Sequence, residues 1–359
     1  MKLKLLLIII FIINSLCKAQ NSNTFLGQNA GSTGINNTFI GRDSGKTNTG
    51  NYNVFTGYRT GVNNGGSQNL FIGHDAGQYN LSGQRNVFLG AKSGTTNSVG
   101  SYNVFAGYES GYNNKGNQNI FIGHESGFNN NSGNNNIFTG REAGYNNTIG
   151  NYNIFTGDES GQANLDGYGN TFMGRQSGYH NSAGSYNLYL GYKAGYTNIS
   201  GSNNIFLGYN AGESELGSNR LYIDNTGTST PLIYGKFDTD QVGINTNVIP
   251  AGYAMAVKGK FITEEIKVQT YANWPDFVFK KEYPLPSINE VEKHIKEKGH
   301  LPNIPSASEV SENGILLGEM NAKLLQKIEE LTLYIIQQEK RFNDQEARLK
   351  KLEAEISLK

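Results

Sequence analysis

NYNVFTGYRTGVNNGGSQNLFIGHDAG, residues 51–77, states one short phrase twice. Asn53-Val54-Phe55-Thr56-Gly57 returns sixteen residues later as Asn69-Leu70-Phe71-Ile72-Gly73. Each copy runs on to a small residue and a glycine, Thr60-Gly61 and Ala76-Gly77. Working outward, the aromatic position recurs twelve times, at Phe25, Phe39, Phe55, Phe71, Phe88, Phe105, Phe121, Phe138, Phe155, Phe172, Tyr189 and Phe206. The spacing is fourteen once and sixteen or seventeen thereafter. A fixed period of this kind marks an array of stacked repeats.

Each unit is too short for a pair of helices. Its apolar run, bounded by Gly and Asn, reads as one short strand and a turn. Gly57, Gly73 and Gly90 supply positive φ or close backbone approach. Asn53 and Asn69 recur at one register and can form hydrogen-bonded ladders between coils. The fold class predicted is therefore mainly β: a parallel β-roll or β-solenoid with one coil per repeat over residues 20–212. Because side chains alternate along a strand, Val54 and Thr56 share one face and Phe55 takes the other. The first face is mostly apolar (Leu70/Ile72, Val87/Leu89, Ile120/Ile122, Ile205/Leu207), and the Phe face is apolar throughout. A strand apolar on both sides calls for burial on both. The expectation is that the aromatic column is too large a stripe to leave in water and that the chain associates with itself to cover it. A wide solenoid burying the column within one chain is the other reading. YNVFTGYRTG, YNVFAGYESG and YNIFTGDESG, starting at 52, 102 and 152, add a longer period of three repeats.

Composition agrees with such an array. The 359 residues have a formal net charge of zero, only 17% charged and 36% hydrophobic residues, and 46 glycines. That argues against a basic nucleic-acid binder and against a single large enzyme core. The start, MKLKLLLIIIFIINSLCKAQ, reads as a secretory signal over residues 1–19: Lys2 and Lys4, an apolar run Leu5 to Ile13 too short to span a bilayer, and small residues at Cys17 and Ala19. Secretion or display at the cell surface is expected. Cys17 is the one cysteine, so the mature chain has no disulfide.

Past Gly212 the pattern changes. Asn219 to Asp224, Pro231 to Gly235 and Gln241 to Asn245 read as strands of a β cap over 213–250, with Tyr253 to Val268 as further strand. Residues 251–316 read as a small α/β connector. In it Ser287-Ile288-Asn289-Glu290 opens a helix to about Lys298 and Gly299 stops it. From 317 to 359 a heptad seam keeps its register. Leu317, Leu324, Leu331 and Leu352 hold one position; Asn321, Ile328, Ile335, Phe342, Leu349 and Ile356 hold the other. Gln338 and Gln345 interrupt the leucines. This is the pattern of a coiled-coil oligomerisation helix, with a helix folded on its own domain as the alternative.

The Asn-x-Phe-x-Gly repeats resemble the head repeats of trimeric autotransporter adhesins, which are parallel β-rolls assembled as trimers. They depart from them in their bulky Phe and longer period. WPDFVFKKEYPLPSINEVEKHIKEKGHLPNIPSASEVSENGILLGEMNAKLLQKIEELTLYIIQ, residues 274–337, resembles the carboxy-terminal region of tail-fibre-like bacterial surface proteins. It is distantly similar to the intramolecular chaperone domain of phage tail fibres and endosialidases. That domain trimerises and can cleave itself at a Ser-Asp followed by Lys; no serine stands between Lys258 and Tyr271 here. The resemblance implies a homotrimer.

Little in the sequence points to chemistry. His74 and His124 hold one repeat position three coils apart, and His294 and His300 lie in the connector; ligand clusters need tighter spacing. Asp43, Asp75, Glu109, Glu125, Glu142 and Glu159 form a column two places after the repeat glycine. Without the nonapeptide calcium pattern it reads as solvated charge that breaks up the surface. No catalytic, cofactor or metal residues are expected. Tyr58, Tyr108, Tyr192 and Tyr209 are candidate contact residues, because Tyr offers large amphipathic area. The function expected is a non-catalytic exported fibre or adhesin-like protein, self-assembling, with a surface glycan or protein as further partner. The alternatives are a phage-derived spike that binds or cleaves glycans, with paired carboxylates in one groove, or a self-processing chaperone tail.

Overall fold

The computed structural model describes residues 23–31, 33–269 and 274–357, so the leader reading of residues 1–19 lies outside the described residues. The chain is a parallel β-solenoid followed by short helices and one long helix. Twelve three-residue strands, from β1 (Thr24–Leu26) to β12 (Ile205–Leu207), stack in sequence order in one sheet of parallel pairs. The register places Phe on Phe at every step, for example Phe88 against Phe105 and Phe105 against Phe121.

From Phe39 to Phe206 every ring of the column is fully buried within the single chain. The expectation that these rings need a sister molecule is thereby overturned. Two features seal them. Centroids of successive rings from Phe25 to Phe206 lie 4.6–5.2 Å apart, within the range for stacked aromatics. The far side of each ring is covered by its own coil's turn. Gly94, at φ +57°, lies so close that a Cβ there would fall 2.5 Å from the Phe88 ring. At Gly90, φ +131°, a Cβ would come 2.5 Å from the carbonyl oxygen of Gly107 in the next coil, so the backbones can stack only if that residue has no side chain. The first ring, Phe25, is 37% exposed.

Asparagine supplies the polar half of the interior through two ladders. Asn53 and Asn69 belong to the first, as the sequence suggests: the backbone N–H of Asn53 donates to Asn37 Oδ1 and that of Asn69 to Asn53 Oδ1, both at 2.9 Å. The second consists of side-chain amides donating coil to coil, Asn64 to Asn48, Asn80 to Asn64 and Asn97 to Asn80, at 2.6–2.8 Å. Both ladders are buried. They satisfy buried polar groups that otherwise carry a desolvation cost.

The backbone makes a further concession. Two non-glycine residues in most coils adopt left-handed φ, such as Tyr102 (φ 61°) and Glu109 (φ 54°). This costs roughly 1–2 kcal/mol per residue for an L-amino acid. The corner it builds lets Tyr102 N–H reach Gln84 O at 2.9 Å and Glu109 N–H reach Ala91 O at 3.0 Å, continuing the inter-coil hydrogen bonds around the turn.

β13 (Arg220–Ile223) continues the parallel stack onto β12. β14 (Ile233–Lys236) then reverses direction, β15 (Gln241–Ile244) reverses again, and β16 (Met255–Val257) pairs parallel to β15. The aromatic column ends here: Tyr222 meets Phe206 edge-on, and its hydroxyl donates to Glu215 Oε2 at 2.8 Å. The further strand expected from Tyr253 to Val268 shrinks to Met255–Val257.

A second compact unit begins at Ile262. It contains a 3-10 helix (Pro275–Phe279), α1 (Ile288–Lys298), α2 (Ala307–Asn313) and α3 (Leu317–Ser357). α1 has the expected Ser287–Glu290 capping box and ends at Gly299 in the left-handed conformation. α2 is not foreseen from the sequence, although Ser306 and Glu309 form the same box.

Candidate assembly surfaces

The surface of the solenoid follows from the inward turn of the Phe column. If Phe55 points in, Val54 and Thr56 point out. In every coil the strand residues beside the ring face outward, and many are aliphatic and well exposed, including Ile40, Val54, Ile72, Ile120, Ile122, Ile137, Ile154 and Met173. The sheet therefore shows an outward face rich in aliphatic side chains and interrupted by Thr38, Thr56, Thr139, Thr156 and Thr171.

Beside that face run the tyrosines singled out in the sequence. Tyr58 lies against His74 (centroids 5.2 Å), Tyr108 against His124 (5.3 Å) and Tyr192 against Tyr209 (5.2 Å). Arg42 sits over Tyr58, Lys92 over Tyr108 and Arg175 over Tyr192. Tyr58, Tyr108 and Tyr192 each have both a ring and a cation against them, while Tyr209, 54% exposed, stacks on Tyr192.

The acidic column differs from the solvated charge expected. Asp43, Asp75, Glu109 and Glu159 keep only 12–15% side-chain exposure, and Glu125 and Glu142 24% and 23%. Cations of neighbouring positions hold most of them: Arg59 pairs with Asp75, Lys92 with Glu109 at 2.8 Å, and Arg141 with both Glu142 and Glu159. Hydrogen bonding to Gln176, then to Arg141, outweighs burial and lowers the Glu159 pKa. The column is a set of stitches between coils. The left-handed corner sends these side chains along the surface toward the adjacent coil. His74 and His124 sit beside Asp75 and Glu125 respectively, and His300 Nδ1 is 3.0 Å from the Leu301 carbonyl. Among the described residues no three His, Cys, Asp or Glu side chains gather as a metal centre requires.

In the second unit α3 has two unlike faces. One packs on its own unit: Gln326 Nε2 donates to the Tyr283 hydroxyl (3.0 Å), that hydroxyl donates to Glu330 Oε1 (2.5 Å), and the Tyr334 hydroxyl donates to the Pro286 carbonyl (2.6 Å). Burial, together with the hydrogen bond to the Glu330 carboxylate, pushes the Tyr283 pKa up to about 12. The other face is the heptad seam. Leu317, Leu324, Ile328, Leu331, Ile335, Phe342, Leu349, Leu352 and Ile356 are all 46–73% exposed. The alternative of a helix lying with its apolar stripe on its own domain therefore fails for the seam itself. The contacts to its own unit come from the residues between the seam positions.

Glu329 sits on the packed face, 8% exposed, with Oε2 unpartnered among the described residues. Burial, then the nearby Asp276 charge, raises its pKa. A carboxyl with a raised folded pKa stabilises least when ionised: its contribution is full below the unfolded pKa and is lost as pH rises through the folded one. Glu329→Gln is therefore expected to raise the thermal midpoint of this unit at pH 7 by about 3 °C. The gain should vanish near pH 4, where the wild-type carboxyl is itself neutral. Far-ultraviolet circular dichroism melts at the two pH values measure this, and a lowered midpoint at pH 7 contradicts it.

No protein-family model matches the chain, and no curated protein or solved structure matches it significantly.

Proposed function

We propose that this chain is a non-catalytic, exported structural protein, a rigid β-solenoid rod joined to sister copies through α3 to form a surface fibre or adhesin-like spike. The observation that carries this is the seam: nine large apolar side chains repeat at heptad spacing on the helix face turned away from its own unit. From Ile335 to Ser357 every residue of α3 is exposed. In proteins most helical stability comes from packing an amphipathic face. Partner helices on the seam supply that packing. The half-exposed aliphatic face of the solenoid adds apolar area for contact between copies or with a target. The rod suits a spacer, because each coil is tied to the next by backbone bonds, two amide ladders and stacked rings, so rigidity extends along the whole array.

Sedimentation equilibrium on the mature chain, residues 20–359, tests the proposal. The wild type is expected as an oligomer, a trimer on the resemblance in the repeats and tail. Ile328→Asp with Ile335→Asp, both exposed in the single chain, is expected as a folded monomer. A monomeric wild type at micromolar concentration overturns the fibre reading.

A further inference from the structure

Resting on that oligomeric reading, we propose that α3 binds a second copy of this chain in parallel and in register, directed by Arg341–Glu346 and Arg348–Glu353 pairs between chains. The seam sets the bookkeeping. With Asn321, Ile328, Ile335 and Phe342 at the first core position of each heptad, Leu317, Leu324 and Leu331 hold the second. The flank just before the first core position then carries Lys327, Tyr334, Arg341 and Arg348. The flank just after the second carries Thr332, Glu339, Glu346 and Glu353.

In a parallel pair, each residue of the leading flank faces the trailing-flank residue five positions further along the neighbouring helix. Arg341 then meets Glu346 of the second copy, and Arg348 meets Glu353. Antiparallel packing sets each flank against its own kind. With the free halves of two helices, residues 335–357, overlapped, Arg341 then faces Arg348, Glu339 faces Glu353 and Glu346 faces its own copy. Like charges at facing positions destabilise, so the same residues favour one orientation and penalise the other. Glu346 also bonds Lys350 of its own helix at 2.9 Å. That pair is exposed and worth little, so the carboxylate can be shared with a neighbouring chain.

Register has a second determinant. Gln338 and Gln345 interrupt the leucine position. In register, amide meets amide and each satisfies the other. A slip of one heptad sets Gln338 against Gln345 but forces Gln345 against Leu352 and Gln338 against Leu331, burying amides on apolar groups. The occupant that matches both the flank charges and the glutamine layers is another copy of α3.

Single cysteines placed in the mature chain read the orientation directly, since the native Cys17 lies in the leader region. Ile335→Cys and Leu352→Cys, one at each core position, are each expected to form an interchain disulfide with themselves on mild oxidation, and a mixture of the two to give no mixed dimer. Charge reversal supplies the second arm. Arg341→Glu with Arg348→Glu, and separately Glu346→Arg with Glu353→Arg, are each expected to weaken assembly about tenfold, and mixing the two variants to restore it in mixed oligomers. Crosslinking of Ile335→Cys to Leu352→Cys in the mixture, with neither linking to itself, overturns the parallel arrangement while the oligomer stands. A wild type that sediments as a monomer overturns both this proposal and the fibre reading. Charge-reversed variants that assemble as well as the wild type remove the ion pairs as the directing element.

Discussion

Phe121→Ala is expected to destabilise the solenoid by about 4 kcal/mol, the range for removing a fully buried aromatic ring. Phe121 has no exposed surface and lies between Phe105 at 4.9 Å and Phe138 at 4.8 Å. Its outer edge is closed by Gly127, where even a Cβ would come within 2.5 Å of the ring. The site has little means to collapse, because coil spacing is fixed by the parallel ladder on both sides. Cavity cost therefore adds to the lost transfer term. In a repeat array each coil touches only its neighbours, so damage at mid-stack divides one cooperative unit into two shorter ones. Denaturant unfolding should show a lower midpoint and a broadened or split transition. A loss below about 1 kcal/mol would mean that the ring is not closed in its own chain. Phe121→Leu, which keeps most of the volume, separates ring loss from general disruption and should cost much less.

Asn114→Asp is the second large effect, and it depends on pH. Asn114 is fully buried. Its Nδ2 donates to Asn97 Oδ1 and to Gly116 O, both at 2.8 Å, while its Oδ1 accepts from Asn130 Nδ2 at 2.6 Å and from Asn119 Nδ2 at 3.2 Å. An aspartate has the same shape but nothing to donate when ionised, so its charge faces two acceptor oxygens in a dry interior. Burial and those oxygens raise the pKa of the new carboxyl above its unfolded value. Its penalty is therefore small below the unfolded pKa and grows as pH rises through the folded one. We expect a loss of about 3 kcal/mol or more at pH 7, most of it recovered near pH 4, where the protonated acid can donate once. Thermal melts at the two pH values decide. Equal destabilisation at both would mean that the ionised charge costs nothing and that the loss comes from the second hydrogen bond that a protonated acid cannot donate.

Much of this architecture was legible in the residues. The period of the Phe positions specified one coil per repeat, and the Asn53/Asn69 register specified a ladder, because in a stack of equal coils like residues must meet like. The box at Ser287 and Glu290 located α1, and heptad spacing located α3, since both signals are local. The second amide ladder left an equally plain trace, an asparagine three residues after the second glycine at Asn64, Asn80 and Asn97. Asparagine among glycines also marks turns, so the residue type alone does not separate a ladder from a loop. What could not be read was burial. Alternation shows that Phe55 and its neighbours Val54 and Thr56 face opposite ways, but both faces are apolar, so the pattern has no sign. The sign comes from tertiary structure: a glycine-bearing turn folds back onto each ring and closes it within one chain, which leaves the aliphatic side outward. The acidic column is the same lesson. A carboxylate's position in sequence does not reveal that a left-handed corner lays it along the surface beside the cation of the preceding coil. Periodicity is a property of the chain and survives in the sequence; which side of a ribbon is inside depends on where the turns send the backbone, and that is decided only when coil packs on coil.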